Sequence, residues 1–259
     1  MRRRFALVVT IVFAAAQASA KPVKICVQND PWFPFSFVDG SAIKGVFVDM
    51  TNDALKAVGD AADYQIVPWE RCLKENGAKG LSDAVVGASY KPERAETLIF
   101  PNDTPETAAC QSKYKLLCVD YVVVSVAADK FEFGGDVKAL PEPVRAPDGF
   151  SIVKDLEGQG VKVDTAKSDL INVRKLIRDG KGVAVMIKPL AEHLAKSKEF
   201  EGKIRIHGKS ITNKSYFLTF SKKGSLSSAD QQKIWDALAK IAADEKAVQG
   251  YFAKYSKDE

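Results

Sequence analysis

The sequence predicts a two-lobed α/β protein, and three observations carry that prediction. Short β-rich runs alternate with helical segments, as in α/β domains with largely parallel sheets. The part that would remain after removal of an N-terminal leader, about 239 residues, is long for a single core. A half-repeat divides it: "GLSDAVVGA" at 80–88 and "GKGVAVMIK" at 180–188 each follow a helical segment, and each reads as a helix stop feeding a buried strand.

Taken in order, Arg2, Arg3 and Arg4 precede an apolar run over 5–16 and then Ala18-Ser19-Ala20. That is the order of a secretory signal peptide, so a mature start near Lys21 is expected. The apolar run is too short to cross a bilayer comfortably, and no later one is long enough. An exported protein that is not membrane-inserted follows. Strands are expected at 23–27, 64–67, 83–86, 121–126, 144–146, 161–163, 183–187, 204–206 and 216–220. A helix is expected over 49–58, stopped by Gly59. Another begins after Ser168 and ends at Gly180, and a third follows the Ser227/Asp230 cap. The stretch 131–147, with Gly134-Gly135 and three prolines, reads as irregular chain rather than as a linker between independent domains.

Removing the three leader arginines from 38 Lys and Arg leaves 35 against 33 acidic residues, so the mature charge is near neutral. The lysines are dispersed, with no aromatic-interleaved basic run, and a nucleic-acid partner is not implied. No cofactor or metal-ligand motif stands out, and His193 and His207 lie in no recognised acid/base or ligand spacing. Four cysteines in an exported chain allow two disulfides and three pairings. Cys110 and Cys118 bracket a segment that closes a hairpin-like loop, which leaves Cys26 with Cys72.

The motifs "NDPWFPFSF", "GVFVDM", "PWERCL", "GLSDAVVGASYKPER", "APDGFSIVKDL", "SYFLTFSKKG" and the closing "YFAKY" occur in an order and spacing that together are specific. In these the chain resembles the bacterial periplasmic solute-binding proteins of extracellular family 3, the polar-amino-acid type, over nearly its whole mature length. The resemblance implies a type II periplasmic-binding-protein fold, with two mixed sheets flanked by helices and a ligand cleft between lobes. It divides the chain into a leader at 1–20, a first lobe at 21–119, a second at 120–215 and a return to the first at 216–259. It implies a periplasmic monomer that passes a small polar or anionic solute to an ABC transporter permease. An enzyme on the same scaffold, similar to the dehydratases of this fold, and a sensory module docking on a partner are the alternatives.

The resemblance also nominates residues. Arg94, beyond the strand that ends in "GAS", would clamp a ligand carboxylate with its planar fork; the plainer alternative is a surface arginine paired with Glu93 or Glu96. Ser89 belongs to the same turn. Trp32 would wall the pocket, with Phe35 left to the core, while Trp69 and Arg71 would face the cleft mouth. Gly149 and Ser151 would offer backbone N–H groups and a hydroxyl to an anion at a helix start. One position departs from the family pattern. Relatives that bind α-amino acids carry an acid just after the second-lobe strand, where this chain has Lys188, and Val183 replaces an earlier aspartate. A lysine cannot accept from an ammonium. The expected ligand is therefore a carboxylate or other anion without an α-amino group, unless Asp169 or Glu192 supplies the charge.

Overall fold

The computed structural model describes residues 22–104 and 110–255, so the leader expected at 1–20 lies outside the described residues. From β1 (Pro22–Gln28) the chain makes an aromatic turn and a small hairpin of β2 (Phe37–Asp39) and β3 (Ala42–Lys44). It continues through α1 (Val46–Val58), β4 (Ala61–Val67), the single turn α2 (Trp69–Arg71) and a π-helical turn at Cys72–Gly77. Then come β5 (Ala84–Ser89), α3 (Pro92–Ala95) and β6 (Leu98–Ile99). β7 (Leu117–Val126) leads into the second lobe, built from β8 (Val144–Pro147), α4 (Ser151–Gly158), β9 (Val163–Ala166), α5 (Asp169–Asp179), β10 (Val183–Ile187) and α6 (Lys188–Lys196). β11 (Ile204–Ser221) returns, and α7 (Ser228–Ala243) and α8 (Glu245–Tyr255) pack on α1.

The strands run in the order β4-β1-β5-β11-β7-β10-β8-β9, with β6 on β11. The two lobes' sheets are thus joined into one hydrogen-bonded path by β7 and β11, which lie antiparallel between them. β5 and β10 are buried at every residue, which is why both read as unbroken apolar runs rather than alternating ones. The ends of the helices follow local chemistry. Gly59 and Gly180 take left-handed conformations after α1 and α5, and the Ser168 and Ser227 hydroxyls accept from the backbone N–H three residues on.

Some boundaries differ from the sequence expectation for identifiable reasons. The strand expected at 161–163 begins at Val163, because the Val161 amide donates to the Leu156 carbonyl and closes α4. The runs at 204–206 and 216–220 are one strand, whose polar middle pairs with β7 through register shifts between Ile206 and Thr212. α1 starts at Val46, packed so closely on the aromatic turn that a Cβ at Gly45 would lie 2.2 Å from the Phe35 carbonyl oxygen. The helix α6 has no counterpart in the sequence reading.

Both disulfides form, Cys26–Cys72 with Cα atoms 5.6 Å apart and Cys110–Cys118 with 5.2 Å. They span 46 and 8 residues, so loop-closure entropy predicts unequal contributions. Replacing Cys26 and Cys72 by alanine is expected to cost about 4 kcal/mol, and replacing Cys110 and Cys118 about 2.5 kcal/mol. Urea unfolding of the two double variants measures both, and an inverted order would refute the loop-length argument.

Candidate functional site

The strand β5 delivers the first part of the site. Opposite it, Phe217 pairs with Ala88 but Leu218 pairs with Val86, so Gly87 is the extra residue of a bulge. Its φ of +80° suits glycine, and a Cβ there would stand 3.2 Å from the Trp32 ring. Trp32 therefore lies directly over the strand. It is buried, with edge contacts to Tyr216 at 4.9 Å and to Phe150 at 6.0 Å. Its indole N–H has no acceptor among the described residues.

Beyond β5, Pro92 at the start of α3 turns the chain so that Arg94 points back into the fold, where it is 8% exposed. Its Nη1 donates to the Ser89 carbonyl at 2.9 Å and to the Ser89 hydroxyl at 3.0 Å. Nη2 donates across the cleft to the Gly149 carbonyl at 2.9 Å. The guanidinium lies 5.6 Å from the centroid of Trp69, whose own Nε1 donates to the same carbonyl at 3.2 Å. Burial pulls the Arg94 pKa down, while Tyr216, Tyr121, Glu93 and Glu70 hold it up.

Facing this from the second lobe are Gly149, in a left-handed conformation at φ +71°, Phe150 and Ser151, the first residue of α4. Ser151 is not the cap of that helix, since Phe150 occupies the cap position without a side-chain bond. The Ser151 hydroxyl instead accepts from the Ser89 hydroxyl at 2.8 Å and from Lys214 at 3.0 Å. The floor is made by the two crossing strands, where the Tyr121 and Tyr216 hydroxyls meet at 2.6 Å. The space between these groups, also lined by Gln28, Ser36 and Val86, is a cavity of about 20 Å³. That is room for about one water. A larger solute would need the Arg94–Gly149 and Ser89–Ser151 contacts to part.

Trp32, Trp69, Ser89, Arg94, Gly149 and Ser151 are thus brought together. Arg71 is not: its side chain is largely exposed and pairs with Glu75 at 3.2 Å. The placement of Lys188 at the ligand position of the family pattern is corrected. Lys188 opens α6, where its half-exposed ammonium lies 3.9 Å from Glu192 on the same helix face. The alternative acid Glu192 is exposed to the same degree. The argument from Lys188 against an α-amino group loses its basis.

Sequence reasoning missed Tyr121, Tyr216, Phe150 and Lys214, which carry no motif of their own and meet the rest only through the chain crossing. Asp169, raised as an alternative acid, is buried at the start of α5. Burial pushes its pKa up to about 8, opposed by a backbone hydrogen bond, and its Oδ1 has no partner. The histidines are engaged in packing. The Phe133 N–H donates to His207 Nδ1 at 3.2 Å, and His193 stacks on Phe33 at 4.0 Å.

Several solved structures share this architecture. A histidine kinase sensor domain described as similar to periplasmic binding proteins superposes with a TM-score of 0.74 at 14% identity, covering 92% of this chain and 97% of its own. The arginine-, lysine- and histidine-binding protein ArtJ from Geobacillus stearothermophilus gives 0.71 at 15% identity, covering 92% and 96%. AbpA from Streptococcus pneumoniae, an amino acid ABC transporter substrate-binding protein bound to L-arginine, gives 0.71 at 14%, covering 91% and 94%. No protein-family model matches the sequence, and no curated protein matches it.

Proposed function

Since the chain has the two-lobed periplasmic-binding-protein fold, we propose that it is an exported solute-binding protein of the family 3 kind. On this reading it captures a small carboxylate-bearing solute between its lobes and presents the closed form to an ABC transporter. The observation that carries the reading is Arg94, a buried guanidinium whose fork reaches acceptors on both sides of the cleft. A carboxylate entering there replaces the Ser89 and Gly149 carbonyls with two charge-assisted bonds, and only the closed arrangement makes every contact. The leader-like N-terminus supports a periplasmic location. Among the described residues no helix is long and apolar enough to cross a membrane.

The similarity to a kinase sensor domain favours one second reading, in which the same closure is read by a signalling partner. Catalysis has no such support, because the similar solved structures are binding and sensor proteins. A thermal-shift screen of amino acids, dicarboxylates and other small organic acids tests solute binding. A true ligand at a hundredfold over its Kd should stabilise the protein by about 2.7 kcal/mol. No shift across the panel for protein freed of bound solute would count against the reading, and native mass spectrometry of gently purified protein identifies what it carries.

A further inference from the structure

Lys214 lies on β11 where that strand passes between the lobes, and only 12% of its side chain is exposed. Its ammonium donates to the Ser151 hydroxyl at 3.0 Å and pairs with Asp155 of α4. Asp155 also pairs with Lys91, which follows β5 in the first lobe. On the other side Ser151 meets Ser89, and Ser89 meets Arg94. Arg94 and Lys214 therefore stand at the two ends of a pair of hydroxyls that line the cavity. The unpartnered indole N–H of Trp32, buried in the same wall, adds a third donor that lacks an acceptor. In this chain of groups Asp155 pairs with two cations, Lys91 and Lys214, while Arg94 has no carboxylate in hydrogen-bond contact among the described residues and, of carboxylates, only the fields of Glu93 and Glu70 upon it.

We propose that Lys214 is the second cation of the anion site. An anionic group placed between Ser89 and Ser151 is held by Arg94 from the first lobe and by Lys214 from the crossing strand. The pairs of Asp155 with Lys214 and Lys91 then tie its arrival to closure of the lobes. An ammonium has three donors, so it can serve Ser151, Asp155 and the ligand together. This inference rests on the solute-binding reading but concerns a residue outside the family pattern.

A lysine there makes the site responsive to pH in a way an arginine does not. Burial pulls Lys214 down to about 8, with Asp155 opposing the fall and Lys91 and Arg94 adding to it. These are the charged groups that face it, from α4, from the turn after β5 and from α3. Anion binding should thus be full near pH 6.5 and weaken as pH rises through 8.

The test is calorimetric titration of wild type, Lys214→Met and Lys214→Arg with sulfate, succinate and L-glutamate at pH 6.5 and pH 9. Wild type should lose about tenfold in affinity between the two pH values, the fraction by which an ammonium of that pKa deprotonates. Lys214→Met should be weaker than wild type by about tenfold or more at pH 6.5 and flat with pH. Lys214→Arg should keep the affinity and lose the pH dependence. The arginine variant and the wild-type profile decide the matter even if the methionine variant folds poorly. Wild-type affinity in Lys214→Met, or a wild-type profile flat with pH, overturns the proposal. Sulfate bound through Lys214 with no response to either organic acid would uphold the two-cation site while counting against the solute-binding reading. No binding of any probe by wild type overturns both.

Discussion

Arg94→Ala is expected to abolish most of the affinity for a carboxylate solute while leaving the chain folded. The loss should be about 2–5 kcal/mol, the range for truncating one partner of a buried, hydrogen-bonded charge pair. The substitution removes both halves of the fork at once, and with them the bond that crosses from the first lobe to the Gly149 carbonyl. Arg94→Lys sharpens the result, because a point charge on a flexible stem keeps the attraction but cannot make two parallel bonds. Titration calorimetry with whichever acid stabilises the wild type gives the affinities, and a melting curve checks the fold. An alanine variant that binds as tightly as wild type would mean that Arg94 serves only to brace the lobes.

Arg145→Ala should be the most damaging single substitution in the second lobe. Arg145 has no exposed surface, yet it donates to Asp179 at 2.7 Å and to the Lys181 carbonyl at 3.1 Å. Its removal opens a cavity beneath β8 and takes a donor from the partly exposed Asp179 carboxylate, so a cost of about 2–5 kcal/mol is expected. Arg145→Met refills the volume and should recover part of it. Asp179 limits the damage, since it keeps a second partner in Arg178 at 2.8 Å. Denaturant midpoints with unchanged slopes measure the effect, and a loss below about 1 kcal/mol would show that the buried guanidinium is dispensable.

What could be read from the chain, and what could not, divides by how far apart the interacting residues lie. Ser168, Ser227, Gly59 and Gly180 declare helix ends because a cap needs only its own three or four neighbours. β10 declares itself because a strand covered on both faces is apolar throughout. Arg94 was nominated by the family resemblance, because its place after a buried strand suits a surface arginine paired with Glu93 or Glu96 equally well, and its burial shows only in the structure. Lys188 misled because the family position was matched without the helix that starts there: Pro189 follows at once, and the helix sets Lys188 beside Glu192 rather than across the cleft. Lys214 and Tyr216 were illegible for a different reason. Their partners are 63 and 95 residues away, and nothing local marks one lysine among many as the one that reaches Ser151.

The placement of the tryptophans has an optical consequence. Of the three in the chain, Trp235 is locked in the first lobe with its N–H on the Leu218 carbonyl, while Trp32 and Trp69 both meet Phe150 of the opposite lobe edge-on. Two intrinsic fluorophores therefore sit on the surface that would separate in the proposed opening of the cleft, and a third would stay in constant surroundings. The indole of Trp32, without an acceptor among the described residues, is the one whose emission is expected to shift if an anion or water reaches its N–H. On the solute-binding reading the molecule carries its own reporter of occupancy and its own internal reference, so binding would be followed in unlabelled protein at the rate at which it occurs.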